Sequence, residues 1–367
     1  MLEAADDHSG LYVEVEQQSP NPLSVRVSCP SGRTLALFGS SGSGKTSTLR
    51  AIAGLSQPKT GRISIDGETW FDSERRINLP PQKRSVGYVF QEYALFPHMT
   101  VLENVAAAMQ HLPAAKRAVR ARSLLENIRL AELERRRPAQ LSGGQRQRVA
   151  VARALAREPR VLLLDEPFSA VDAGARKALY LELAELRRTF AQPMVIVTHD
   201  FQDVLRFANT VAMLDGGSVV AHDTLDQICR RTDLPSLRGL SEPASAFDAS
   251  VTAHYTDRGL TELAFADKRI LAPLSSAPIG SLVRVRVTAR DVVLALARVD
   301  GLSVHNQLEG RVASVVPVDD TTVAVHVSIG GATLLAHVMA DASRRLALRR
   351  DMSVFALVKS VAVDAVM

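Results

Sequence analysis

The stretch Arg33–Thr46, RTLALFGSSGSGKT, decides how the rest of the chain is read. Its first half is a short apolar run bounded by Gly32 and Gly39, the pattern of a strand buried on both faces. Its second half is a glycine-rich turn of Gly39, Ser40, Ser41, Gly42, Ser43, Gly44, Lys45 and Thr46, and helical spacing then runs from Lys45 to Ala53, closed by Gly54. Glycines let backbone N–H groups turn inward around phosphates, and a helix N-terminus adds a favourable dipole. Lys45 can then reach the β- and γ-phosphates of a nucleotide, and the Thr46 hydroxyl can ligate Mg²⁺. A chance match in a Gly/Ser-rich loop is the bland alternative; the placement between a buried strand and a helix weighs against it.

Working outward, VLLLDEP (Val161–Pro167) is a second buried strand that delivers Asp165 and Glu166 to its C-terminal tip, where ligands sit in open parallel sheets. Asp165 suits a Mg²⁺ role through water, and Glu166 can orient an attacking water. Taken alone, such a pair serves equally well as the cap of the next helix. LSGGQ (Leu141–Gln145) opens the helix QRQRVAVARALAR: Ser142 suits the N-cap, and Gly143 and Gly144 leave backbone amides open to an anion. The runs MVIV (Met194–Val197) and Thr210–Leu214 add strands, and helices are expected over Lys177–Arg188 and near Gln202–Phe207. Buried strands alternating with helices predict an α/β fold with a mostly parallel sheet covered on both sides.

Composition narrows the class. The chain has 367 residues, 46% hydrophobic and 23% charged, a balance that excludes a disordered chain and has room for two or three domains. No run approaches the roughly 18 apolar residues of a spanning helix, and Met1–Gly10 is acidic and polar rather than signal-like. Cys29 and Cys229 are too few for a disulfide framework. These features predict a soluble, cytosolic protein. The net charge of +5 favours anionic partners. Its clusters, Lys116–Arg122 and Arg135–Arg137, read as solvated helix faces.

Near Pro235–Ala244 the chain turns to PSLRGLSEPA, a linker composition. Beyond it lie short alternating runs (ASVTAHY, LTELAF, LVRVRVT, DVVLALA, GRVASVV, TVAVHVSI, TLLAHVM and VFALVKSVAV), which predict a small all-β barrel or sandwich. Val285–Leu294 resembles Val354–Val363 with Arg290 opposite Lys359, an internal repeat of two β units. The expected division is residues 1–235, a linker over 236–247, and residues 248–367.

Together, the phosphate loop, LSGGQ and DEP form a highly specific combination, and residues 1–235 resemble the nucleotide-binding subunit of ATP-binding cassette transporters. In that likeness Gln91, in YVFQEYALFPHMT, is similar to the family's Q-loop, which senses Mg²⁺ and γ-phosphate and lies against the membrane subunit. Ser169–Asp172 resembles the loop after the carboxylate pair, with Val171 in place of the usual Leu and Asp172 facing the dimer. His199, in IVTHD, resembles the switch histidine at the γ-phosphate. The resemblance implies a P-loop NTPase cassette with a helical subdomain, a head-to-tail homodimer, and ATP held between Gly39–Thr46 of one copy and Ser142–Gln145 of the other. It implies Mg²⁺ at Thr46, Gln91 and Asp165, with Glu166 and His199 catalytic. The family's adenine-stacking aromatic has no counterpart in Ser19–Pro30, and Tyr12, the nearest, reads as a strand residue.

The C-terminal part resembles the accessory OB-like β domain of importer ATPases for molybdate, sulfate, sugars, polyamines or iron, and is most similar to that of the molybdate-importer family. LSVHNQLEGRVASV (Leu302–Val315) and LVKSVAV resemble an oxyanion-binding module in which Ser303, His305, Asn306 and Lys359 would hold a tetrahedral dianion as a regulatory ligand. His305 stands where that module has Arg or Lys. The plain alternative makes Ser303–Asn306 a turn and Lys359 an edge-strand charge. The family likeness implies two membrane-spanning permease subunits, an indirect solute-binding protein outside the cell, a place on the cytoplasmic face of the bacterial membrane, and no nucleic acid. Three functions stay open: an importer ATPase for molybdate or tungstate, one for another solute such as sulfate, and a soluble cassette ATPase acting on nucleic acid or ribosomes. A single cassette without a dense basic tail counts against the last.

Overall fold

The computed structural model describes residues 9–19, 21–110, 112–128, 130–169, 176, 179–180, 183, 186, 190–231 and 243–366. The chain divides into two compact units, Met1–Thr224 and Leu225–Met367.

Among the described residues, eleven strands of the first unit form one sheet. They are β1 (Leu11–Gln17), β2 (Leu23–Cys29), β3 (Thr34–Phe38), β4 (Thr60–Ile65), β5 (Glu68–Asp72), β6 (Ile77–Asn78), β7 (Val86–Val89), β8 (Val161–Asp165), β9 (Met194–Thr198), β10 (Thr210–Asp215) and β11 (Ser218–Thr224). Their order is β6-β5-β4-β1-β2-β11-β10-β3-β9-β8-β7. The expected parallel sheet is the run β10-β3-β9-β8-β7, each neighbouring pair parallel. It continues into antiparallel β1, β2, β4, β5 and β6, so the whole is mixed. Sequence explains the division. Every residue of β3, β8 and β9 is buried, as continuous apolar runs require, whereas β2 alternates buried and exposed along LSVRVSC.

Helix α1 (Lys45–Ala53) packs Leu49, Ala51 and Ile52 into the core with Leu35, Leu37, Leu163 and Val197, and Gly54 at φ 75° ends it with its N–H on the carbonyls of Arg50 and Ala51. The Arg84 guanidinium, 1% exposed, donates to the α1 carbonyls of Ala51 and Ile52 at 2.7 and 2.8 Å. Helices α2 (Val101–Ala106), α3 (Ala114–Asn127) and α4 (Gly143–Leu155) make the helical subdomain around Val101, Val105, Leu125 and Val149. Most of the helix expected over Lys177–Arg188 lies outside the described residues. Among the described residues, no helix is long and apolar enough to cross a membrane.

In the second unit a helix, Leu225–Arg230, packs on β12 (Ala244–Tyr255). Positions 236–242 of the expected linker lie outside the described residues, and its last four, Ala244–Phe247, already belong to β12. The other strands are β13 (Leu260–Phe265), β14 (Lys268–Pro273), β15 (Leu282–Thr288), β16 (Val292–Ala295), β17 (Asn306–Pro317), β18 (Thr322–Ser328), β19 (Thr333–Met339), β20 (Ser353–Val358) and β21 (Val363–Val366). They form two five-stranded sheets, β14-β13-β12-β15-β21 and β16-β20-β17-β18-β19. Each half lends its last strand to the other's sheet. The run VFALVKSVAV is therefore not one strand: it breaks at Lys359 into β20, a short 3₁₀ turn (Ser360–Ala362) and β21.

The repeat is real but its register differs from the expected one. The matching 3₁₀ turn of the first half is Ala289–Asp291, capped by Thr288 as Ser360–Ala362 is capped by Lys359. Thr288, not Arg290, therefore stands opposite Lys359. Slipping a strand by two residues keeps every side chain on its own face, so alternation could not distinguish the two registers.

Candidate functional site

Four parallel strands end at one edge of the first sheet, and the loops leaving them carry the polar residues. Between β3 and α1, Gly42 and Gly44 take φ of 82° and 97°, a region open to glycine but strained for other residues. The turn folds around the Lys45 ammonium, which donates to the carbonyls of Gly39 and Ser40 at 2.8 and 2.7 Å. Lys45 is 4% exposed, and burial lowers its pKa against the raising influence of Glu166 and Asp165.

Asp165, also 4% exposed, ends β8. Its Oδ1 accepts from Thr46 Oγ1 at 2.9 Å and its Oδ2 from Tyr88 OH at 3.0 Å. Burial raises the carboxyl pKa, and those two hydrogen bonds oppose the rise. Thr46 and Asp165 lie 119 residues apart in sequence and meet because β3 and β8 flank β9 in parallel.

Glu166 leaves the strand with φ 45°, a left-handed conformation costing about 1 kcal/mol for a residue with a Cβ. It is fixed by its N–H on Val197 O at 3.0 Å and by Ser169, whose N–H and hydroxyl both donate to Glu166 O. The bend aims the carboxylate across the edge, where Oε2 lies 3.5 Å from Gln91 Nε2 and 3.3 Å from His199 Nδ1. Gln91 follows β7, and His199 follows β9 with its side chain 55% exposed. The loop under His199 is fixed by buried Asp203, which accepts from Thr198 Oγ1 and Tyr180 OH, both at 2.7 Å.

Ser142 caps α4 as expected, in a box where Gln145 N–H donates to Ser142 Oγ at 3.3 Å and Ser142 N–H to Gln145 Oε1 at 2.9 Å. Those bonds close on the segment itself, so Ser142, Gly143, Gly144 and Gln145 form a self-capped helix end. Asp172 lies outside the described residues. Tyr12 sits in β1, its hydroxyl donating to Glu14 at 2.6 Å.

Of the three residues expected at Mg²⁺, Thr46 and Asp165 meet and Gln91 is directed at Glu166; their hydroxyl, carboxylate and amide oxygens are hard ligands of the kind Mg²⁺ takes. Sequence reasoning missed three residues that hold this set. Tyr88 meets Asp165. Gln147, fully buried, donates from α4 to Pro167 O, just past Glu166. Arg153 donates to the carbonyls of Tyr93 and Ala94 at 2.8 and 2.7 Å and lies over Phe96, pinning the positive-φ turn after Gln91. Each lies in a helix or strand that reads as packing until its neighbours are known.

The four residues expected around an oxyanion behave differently. Asn306 is 4% exposed and clamped to the backbone of Leu271: its Oδ1 accepts from Leu271 N at 2.7 Å and its Nδ2 donates to Leu271 O at 2.9 Å. It joins β17 to β14, a structural use that takes the amide away from a ligand. His305 Nδ1 pairs with Ser360 Oγ at 3.0 Å, while Ser303 and Lys359 are exposed. Ser360, missed in the sequence, is buried next to Lys359 in the chain and is the partner of His305.

The ABC transporter family profile matches residues 23–169, and the TOBE domain profile residues 302–365. The chain is 42% identical over 341 residues to the molybdenum import ATP-binding protein ModC of Paramagnetospirillum magneticum, spanning 93% of this chain and 94% of that one. It is 38% identical to the protein of the same name from Albidiferax ferrireducens, spanning 98% of each. Among solved structures, cbiO1 from Clostridium perfringens, part of an ABC transporter complex, matches with a TM-score of 0.53 and 27% identity, covering 59% of this chain and 89% of that one.

Proposed function

Because the chain belongs to the molybdenum import ATP-binding family of ABC transporter proteins, we propose that it is the ATP-hydrolysing subunit that energises molybdate import through a membrane permease. The observation that carries the ATPase is the convergence of Lys45, Thr46, Asp165, Glu166, Gln91 and His199 from separate loops onto one sheet edge. Lys45 and the loop amides bind the β- and γ-phosphates. Thr46, Asp165 and Gln91 would hold Mg²⁺, which supplies charge neutralisation to the phosphates when bound. Glu166 orients the attacking water and accepts its proton; His199, 3.3 Å away, keeps that carboxylate turned toward the γ-phosphate and adds a donor to the transferring group.

Ser142–Gln145 has no hydrogen bond to the phosphate loop of its own chain among the described residues, which suits an anion-facing helix end offered to a second copy. Two copies then close head to tail over two nucleotides, on two permease subunits at the cytoplasmic membrane face. The second unit adds a regulatory oxyanion site at Ser303, His305 and Lys359, with Ser360 beside them and Asn306 as its scaffold.

The test is uptake of trace molybdate and sulfate by cells from which the chain has been deleted. Loss of molybdate uptake alone, restored by the native chain and not by Glu166→Gln, supports the reading. Loss of sulfate uptake redirects the cargo, and unchanged uptake of both overturns the import function.

A further inference from the structure

Asp165 is held from two sides by elements distant in sequence. Thr46, in the first turn of α1, donates to one carboxylate oxygen at 2.9 Å, and Tyr88, on β7, donates to the other at 3.0 Å. The second contact follows from register. β7 and β8 run parallel with Tyr88 opposite Leu163, so Tyr88 shares a face with Asp165, two residues further along the neighbouring strand. The Tyr88 ring stacks on Phe90 with centroids 4.1 Å apart and planes at 25°, and it packs against the cluster containing Leu163 and Leu49. From this packed position the hydroxyl donates to Asp165 Oδ2.

We propose that Tyr88 is a positioning residue for Asp165, one whose hydroxyl fixes the carboxylate plane and so sets how strongly the nucleotide site takes Mg²⁺; this rests on the nucleotide-site reading above. A carboxylate hydrogen-bonded through one oxygen can still swing about its terminal torsion. One bonded through both, by groups on different elements, cannot. At 4% exposure, bulk water offers Asp165 little replacement for a lost donor. The Gln91 amide is not a substitute, because it is directed at Glu166. Tyr88 is also three residues before Gln91 on the same chain segment, so its hydroxyl ties the strand that presents Gln91 to the strand that presents Asp165 and Glu166.

The experiment titrates the full-length chain with a fluorescent ATP analogue, in excess Mg²⁺ and in EDTA, for the native protein, Tyr88→Phe and Phe90→Leu. Removing a hydrogen-bonding partner of a metal-site ligand lowers metal affinity by about 10-fold or more. Tyr88→Phe is therefore expected to weaken binding in Mg²⁺ by about 10-fold, to raise the half-saturating Mg²⁺ concentration by a similar factor, and to leave binding in EDTA unchanged. Phe90→Leu, which keeps the hydroxyl and removes only the stacked ring, should leave the Mg²⁺ dependence as it is. Equal weakening in both conditions, no weakening in either, or an equal effect of Phe90→Leu would each overturn the proposal and assign Tyr88 to packing alone. Absence of binding by the native chain in both conditions would remove the nucleotide-site reading, and this proposal with it.

Discussion

The edge of the first sheet and the candidate anion site of the second unit look alike as residue inventories, yet they are built on opposite plans. At the sheet edge, the ends of β3, β7, β8 and β9 bring together two adjoining groups, Thr46 on Asp165, and Gln91 and His199 on Glu166. In the β unit, Asn306 is spent on joining strands, His305 bonds Ser360, and Ser303 and Lys359 face solvent. Parallel strands all finish at the same edge, so polar residues placed at their ends converge whatever their sequence separation. Antiparallel strands finish at alternate edges, and polar residues near their ends converge only where a turn folds back, as at Lys359–Ser360.

The sharpest way to break this contrast is Glu166→Gln. Removing a general base lowers turnover by about 10²- to 10⁴-fold. ATP binding, measured by titration in EDTA and in Mg²⁺, should persist. Turnover within tenfold of native would remove Glu166 from the reaction.

Next in size is Asn306→Ala, which removes the side-chain partner of the backbone N–H and C=O of Leu271 at a part-buried contact. The expected loss is about 1–2 kcal/mol of stability, read from denaturant unfolding of the full chain. Unchanged stability combined with lost molybdate binding would return Asn306 to the ligand set and make the two regions more alike.

Lys359→Ala should do the converse. An exposed side chain contributes within about 0.5 kcal/mol to folding, so stability stays put. Calorimetric titration should show molybdate affinity falling about tenfold, the loss of one charge-assisted hydrogen bond. Equal affinity in native and variant proteins would leave Lys359 as an edge charge.

The smallest expected effect concerns pH and touches both units. Among the described residues, the buried Nε2 atoms of His222 in β11 and His337 in β19 have no hydrogen-bond partner, and burial lowers both pKa values, with Asp223 and Asp319 opposing. Folded-state pKa values below the ordinary 6.5 mean that the stability from the neutral rings is complete above about pH 6.5 and is lost as pH falls through the folded values. Melting temperature should therefore drop between pH 7 and pH 5. His222→Gln should flatten the drop attributed to the first unit, and His337→Gln that of the second. A native melting temperature constant over this range would contradict the assignment.

Much of the first unit was legible because its decisive segments are local. The Gly39–Thr46 turn needs positive φ at Gly42 and Gly44, LSGGQ carries its own cap, and VLLLDEP is a buried strand with its carboxylates at the tip. The antiparallel continuation of the sheet, Tyr88 and Gln147 were not legible, since each depends on which strand or helix lies alongside.

By itself, then, the sequence determined the phosphate loop, the strand-end carboxylates, the family likeness and the presence of a repeated β unit. These are properties of short segments whose backbone conformation is set by their own residues. Only the tertiary structure decided the register of the repeat, the breaking of VFALVKSVAV at Lys359, the exchange of last strands between the two β sheets, and the partners of Asp165 and Asn306. The physical reason is that strand alternation repeats every two residues and carries no information about which neighbour is paired or at what even offset. That choice is made by packing and hydrogen bonding between segments far apart in the chain.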